Sequence, residues 1–192
     1  MLKPEHRVVV LLHGGLADLS GKTGLALLRY RPGPVAAVVD PAHAGRSLED
    51  VTGIARDVPV VASLAEALPY SPDVAVVGLA PSGGRLPEPV RTDLVMALQA
   101  GLSVASGLHS RIGDDPELAA LRRDPAWIWD LRCEPAGLTV GVGRAAALPC
   151  RRWLAVGTDM AVGKMSACLE LTAAARGRAC RRVSWGPARP GS

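Results

Sequence analysis

Short apolar runs alternate with amphipathic stretches along most of the chain, and this alternation limits the fold more than any other feature. Val8 to Leu12, Val35 to Val39, Val58 to Val61, Val74 to Leu79, Ser103 to Ala105 and Trp127 to Leu131 read as strands. Thr23 to Tyr30, Ser63 to Leu68, Pro89 to Ala100 and Pro116 to Arg123 read as helices between them, the second of these behind a Ser63 cap. Near-continuous apolar strands separated by helices predict a parallel sheet covered on both faces. The fold class is therefore α/β, with a Rossmann-like doubly wound parallel sheet over residues 1–148.

A second set of elements begins near residue 149. The apolar run Trp153 to Val156 enters a loop bounded by Gly157 and Gly163, and Lys164 to Arg176 then reads as a helix closed by Gly177. A strand, a Gly-bounded loop and a helix in that order turn backbone N–H groups toward an anion, so Gly157, Thr158, Asp159, Gly163, Lys164 and Ser166 are the candidate phosphate cradle of a P-loop domain. Thr158 stands where the strict spacing has its first Gly. Met165 stands directly after Lys164, where a hydroxyl residue would hold magnesium, and a thioether is a poor ligand for that ion. Anion binding survives these departures better than ATP hydrolysis does. Residues 178–192 are Arg, Pro, Gly and Ser around a lone Trp185, a composition that predicts a disordered or aberrant tail. The expectation is a P-loop domain begun over 149–177 and cut short, through truncation or a shifted reading frame.

The net charge of +4 does not point to nucleic acid. Arg176, Arg178, Arg181, Arg182 and Arg189 lie together at the end, and without them basic and acidic residues nearly balance. Cys133, Cys150, Cys168 and Cys180 form no C-x-x-C pair and the four His are dispersed, so no metal site is expected. No apolar run approaches the roughly 20 residues of a membrane span and the first residues lack a signal core. A soluble cytoplasmic protein is expected, acting on a small molecule without nucleic acid or membrane, and forming a homo-oligomer where the exposed second set of elements self-associates.

Ligands in doubly wound sheets bind at the carboxyl ends of strands. After the first strand comes His13-Gly14-Gly15 and then Gly21-Lys22-Thr23; after the second, Asp40; after the fourth, Gly83-Gly84-Arg85; after the fifth, Ser106-Gly107-Leu108-His109. Lys22 and Thr23 fit either a ligand or a plain helix start capped by Ser20. Asp40 fits either a turn-forming Asp-Pro or an acid that holds a ribose. His13 and His109 each fit proton transfer or a structural hydrogen bond.

Taken in order, Lys22-Thr23 with Arg29-Tyr30, Val38-Val39-Asp40, Gly78 to Arg85 with Leu86-Pro87, Ser106 to His109, Trp129-Asp130-Leu131-Arg132 and Gly157 to Ser166 resemble a bacterial family catalogued as a domain of unknown function. Its members join a Rossmann-like domain to a P-loop domain, and some are D-glutamate N-acetyltransferases. The resemblance implies attack of an amino-acid amine on acetyl-CoA, which calls for a base, oxyanion donors, and cations for carboxylates and phosphates. It implies that the Gly157 to Ser166 loop holds a cofactor phosphate. Lys22, Thr23, Asp40, Gly83, Gly84, Arg85, Ser106 and Gly107 then face the amino acid, with His109 as first candidate base. Gly157-Thr158-Asp159 also resembles dethiobiotin synthetase, which makes an ATP- and magnesium-dependent enzyme the main alternative. A non-catalytic nucleotide- or anion-binding fragment is the third reading, because a shortened P-loop domain puts activity of this chain in doubt.

Overall fold

The computed structural model describes residues 1–177 except Ser82, Gly84, Pro135, Leu138, Thr139, Val142, Cys150, Met160 and Ala161. The chain divides into two compact units, Met1–Cys133 and Glu134–Ser192.

The first unit is built on β1 (Val8–Leu11), β2 (Val35–Val39), β3 (Val60–Val61), β4 (Val74–Val77), β5 (Ser103–Ser106) and β6 (Ile128–Asp130). They form one sheet in the order β3-β2-β1-β4-β5-β6, and every pairing is parallel. β1 is central and its residues are wholly buried, which is why its sequence is an uninterrupted apolar run rather than an alternating one. Helices α1 (Lys22–Tyr30), α2 (Leu48–Thr52), α3 (Leu64–Ala67), α4 (Glu88–Gln99) and α5 (Pro116–Leu121) fill the connections. Ser63 accepts from the Glu66 N–H as the cap of α3, and Asp115 accepts from Glu117 and Leu118 as the cap of α5.

Two differences from the sequence reading have local causes. α2 is a five-residue helix that ends at Gly53 with φ 67°; one and a half turns leave too few apolar positions to show a period. β3 pairs only over Val60–Val61 because Pro59 has no N–H to give, although its carbonyl still accepts from Val38.

The end of α1 is fastened by two guanidinium groups. Arg56 donates to the carbonyls of Leu28, Arg31 and Gly33, and Arg31 donates to those of Lys3, Pro4 and His6. Partial burial lowers both pKa values from the usual Arg range, and for Arg31 the neighbouring Arg56 charge adds to the effect. The carbonyls at a helix C-terminus carry partial negative charge, which is what Arg56 meets at Leu28, whereas Arg31 ties the residue after α1 to the segment before β1.

In the second unit, α6 (Lys164–Gly177) forms where the sequence predicts a helix. Residues 151–157 have no regular secondary structure, so the expected strand Trp153 to Val156 is absent. Strands persist only when a neighbour takes up their N–H and C=O groups, and this stretch has none among the described residues. Trp153, Leu154 and Val156 are accordingly exposed. The expected tail, residues 178–192, lies outside the described residues. No helix among the described residues is long and apolar enough to cross a membrane.

Candidate functional site

The sheet order places the split of the first unit between β1 and β4, because the chain leaves β1 toward β2 and leaves β4 toward β5. Loops that diverge from neighbouring strands open a crevice at their carboxyl ends. Glycines let the backbone close tightly there. A Cβ on Gly24 of α1 would lie 3.1 Å from Gly78 Cα, and the Gly24 N–H donates to the Gly78 carbonyl at 2.8 Å. A Cβ on Gly21 would lie 1.9 Å from the Gly15 oxygen. Gly15, Gly21 and Gly24 thus seat the loop after β1 on the start of α1 and α1 on β4. The sequence shows the glycines but not which of them touch.

His13 follows β1 with φ 40°, in the left-handed region that L-residues seldom enter. Its Nε2 lies 2.8 Å from Oδ2 of Asp93 on α4, with the two side chains 12% and 9% exposed. Asp93 is the functional candidate that the sequence reading passes over. It sits within the buried face of α4, among Val90, Leu94, Ala97 and Leu98, and that break in an apolar stripe was its readable signal.

Asp40, after β2, is fully buried. One oxygen accepts from the Leu16 N–H at 2.9 Å; the other accepts from the Ala42 N–H at 3.1 Å and lies 3.3 Å from His43 Nδ1. These contacts tie the loop after β1 to the turn after β2. Ser106 is buried at the end of β5 and its Oγ accepts from the Leu108 N–H. Gly107 gives its carbonyl to Arg132. Lys22, Thr23, Gly83, Arg85 and His109 are exposed at the same carboxyl edge, and His109 has no hydrogen-bond or ionic partner among the described residues. Gly84 lies outside the described residues. The structure therefore pairs His13 with Asp93, ties the loop after β1 to Asp40, and leaves His109 on the surface.

A groove of about 640 Å³ flanks edge strand β3, lined in part by Arg46, Glu49, Asp57 and Tyr70. Arg56, also on its wall, is already committed to the end of α1. Among the described residues no group of three or more His, Cys, Asp or Glu could hold a metal.

In the second unit, Gly163 precedes α6 with φ 88°, a conformation that favours glycine, and a side chain there would meet only open space. Lys164 Nζ folds back to donate to the Asp159 carbonyl at 2.5 Å. A Cβ on Gly157 would lie 2.9 Å from Val162 Cγ2 and 3.2 Å from Lys164 Cδ, so the loop is compact. The Ala167 N–H donates to the Gly163 carbonyl, and Ser166 is exposed on the first turn. A glycine-permitted turn, an ammonium and the N–H groups of a helix start suit an anion by their donor chemistry. Thr158 and Asp159 belong to the same loop.

These features define a two-unit α/β protein that joins a Rossmann-like sheet to a P-loop. The chain belongs to the DUF1611 family: residues 41–134 match the domain of unknown function described as its N-terminal Rossmann-like domain, and residues 139–185 match its C-terminal P-loop domain. The fold superposes with a TM-score of 0.86 on the crystal structure of a DUF1611 family protein from Anabaena variabilis ATCC 29413, at 52% identity, covering 91% of this chain and 51% of that one. A protein of Tritonibacter scottomollicae named D-glutamate N-acetyltransferase is 35% identical over 119 residues, 60% of this chain and 34% of its own length. A protein of the same name from Pseudoalteromonas sp is 32% identical over 110 residues, 57% of this chain and 32% of its own. The chain spans about a third of the length of these two curated relatives and about half that of the solved one.

Proposed function

We propose that the chain serves N-acetyl transfer from acetyl-CoA to the amine of D-glutamate or a similar acidic amino acid. The observation that carries this reading is the similarity to two proteins of that name. Each unit supports it separately. The loop ahead of α6 offers Lys164, Ser166 and helix-start N–H groups to a phosphate of the cofactor, with Gly157, Thr158, Asp159 and Gly163 shaping the turn. The carboxyl edge of the sheet offers Lys22 and Arg85 to substrate carboxylates, while Thr23, Gly83 and Gly107 line the approach, with Ser106 buried at the end of β5, and Asp40 holds the loop after β1 in place. Acetyl-CoA supplies the activated acetyl group; the chain supplies binding, orientation and the removal of a proton. We place this activity in the cytoplasm, with a small molecule as substrate, neither nucleic acid nor membrane as partner, and a homo-oligomer as the working form.

A second reading has one observation in its favour. The Gly157-Thr158-Asp159 opening suits an ATP-dependent P-loop enzyme related to dethiobiotin synthetase, although Met165 occupies the magnesium-ligand position. A third is binding of nucleotide or anion without catalysis. Calorimetric titration of the chain and of Lys164→Ala with acetyl-CoA, with ATP plus magnesium, and with NAD separates them. Acetyl-CoA is expected to bind the parent, and Lys164→Ala to weaken it by about tenfold, the equivalent of one charge-assisted contact of about 1.4 kcal/mol. Magnesium-dependent ATP binding with none for acetyl-CoA would establish the second reading instead. Undiminished acetyl-CoA binding by Lys164→Ala would remove that residue from the cradle.

A further inference from the structure

The first unit maintains two unfavourable features at one point. Asp93 places a carboxylate in a helix stripe that a Leu would fill, and removing such a group from water costs several kcal/mol in general unless a partner compensates. His13, the partner, holds a left-handed backbone conformation at φ 40°, which is unfavourable for a residue with a Cβ. Strained backbone and buried ionisable pairs persist where surroundings force them, and they concentrate at functional sites. This pair stands at the split between β1 and β4, where ligands of doubly wound sheets bind.

The pair is also left half-used. The Asp93 contact takes His13 Nε2, and His13 Nδ1 has no partner among the described residues. Nor is Nδ1 sealed from solvent, since the one fully buried side-chain nitrogen or oxygen without a hydrogen bond among the described residues is Arg31 Nε. A carboxylate that accepts the Nε2 proton fixes the tautomer whose Nδ1 lone pair faces outward. The other histidines at this edge lack that arrangement. Asp40 beside His43 is occupied by two backbone N–H groups, and His109 is exposed with no carboxylate beside it.

We infer that His13, oriented by Asp93, is the group that takes the proton from the acceptor amine, in the place first given to His109. The inference rests on the N-acetyltransferase reading. An amino acid arrives as its ammonium form, and His13 Nδ1 removes one proton, the resulting imidazolium being balanced by Asp93. The freed nitrogen lone pair forms the C–N bond to the acetyl carbon as the C–S bond breaks, with the electron pair leaving on sulfur. The second nitrogen proton goes to that sulfur, and His13 returns the first to water. Ammonium and thioester thus give amide, thiol and one released proton.

His13→Gly is the informative variant, because glycine adopts φ 40° without strain and leaves a space the size of the missing ring. Melting temperature, calorimetric binding of D-glutamate, and thiol release from acetyl-CoA are measured with and without free imidazole, beside the parent and Asp93→Asn. Expected are a folded protein, D-glutamate affinity within about threefold of the parent, and a rate lower by about a hundredfold or more that free imidazole partly restores. Asp93→Asn is expected to lower the rate too, with no rescue, since its ring is still present. If His13→Gly does not fold, His13→Asn takes its place, because Asn tolerates the left-handed region and still reaches toward Asp93. A rate within about threefold of the parent, or a loss that imidazole leaves unchanged, would overturn the inference and reduce the pair to a staple between β1 and α4. A parent that releases no thiol fails before any substitution is compared and overturns the acetyltransferase reading itself.

Discussion

Gly21→Ala is expected to lower stability by about 3 kcal/mol or more, which for a chain of this size is a fall in melting temperature of about 6–12 °C. The cause is steric and lies wholly in the backbone. The new Cβ would stand 1.9 Å from the Gly15 oxygen and 2.6 Å from its carbonyl carbon, and neither atom can swing aside as a side chain could. Relief requires the loop from Gly15 to Gly21 to lift from the start of α1. Gly21 itself has φ −85°, which Ala adopts freely, so strain of the residue contributes nothing. Gly107→Ala is the control: space around it is open, and the substitution is expected to leave the melting temperature unchanged or slightly raised. Thermal unfolding followed by circular dichroism reads both, and a fall of less than about 2 °C for Gly21→Ala would show that the loop does not close as described.

Asp40→Ala is expected to cost about 2–4 kcal/mol, because it strands two backbone donors at once. Leu16 and Ala42 direct their N–H groups at a carboxylate with no solvent exposure, and a methyl group gives them nothing to bond. Asp40→Asn keeps one acceptor oxygen but turns an amide toward the other donor, so an intermediate loss is expected. Denaturant titration measures these losses as a shift of midpoint at unchanged slope. The pair of variants also separates two roles for Asp40. If the carboxylate acts by holding the loop after β1, stability and ligand affinity fall together. If it acts by touching a ribose, Asp40→Asn weakens nucleotide binding while the unfolding midpoint stays where it was.

Much of the first unit can be read from the chain because its sheet is buried on both faces. β1, β2 and β4 must then be continuous apolar runs, and such runs at helix-length spacing admit few arrangements. Lys164 to Gly177 was legible for a similar reason, with a Gly-bounded start and a Gly end. The missed α2 and the shortened β3 are both edge features, where a few residues and one proline outweigh any pattern. Trp153 to Val156 failed differently, since an apolar run states a strand's preference but cannot provide its neighbour.

The candidate site was harder to read. Its loops were legible because their Gly, Lys and His residues follow strand ends. Its central pair was not: His13 and Asp93 lie 80 positions apart, and only the adjacency of β1 to β4, with α4 following β4, brings them to 2.8 Å. Asp93 left a trace as a carboxylate within the stripe of Val90, Leu94 and Ala97, but a stripe does not say what it faces. His109 looked the better base from its place after Ser106-Gly107-Leu108, and its exposure became visible only in three dimensions.

The proposed activity is transfer of an acetyl group to an amino-acid amine. Incubation of the purified protein with acetyl-CoA and D-glutamate, with L-glutamate and a neutral D-amino acid as comparisons, tests it most directly when thiol release and the acylated product are followed together. N-acetylglutamate is expected to form in step with thiol, fastest from an acidic acceptor. Thiol release without an acetylated amino acid, or no release by protein that binds acetyl-CoA and is folded, would contradict it.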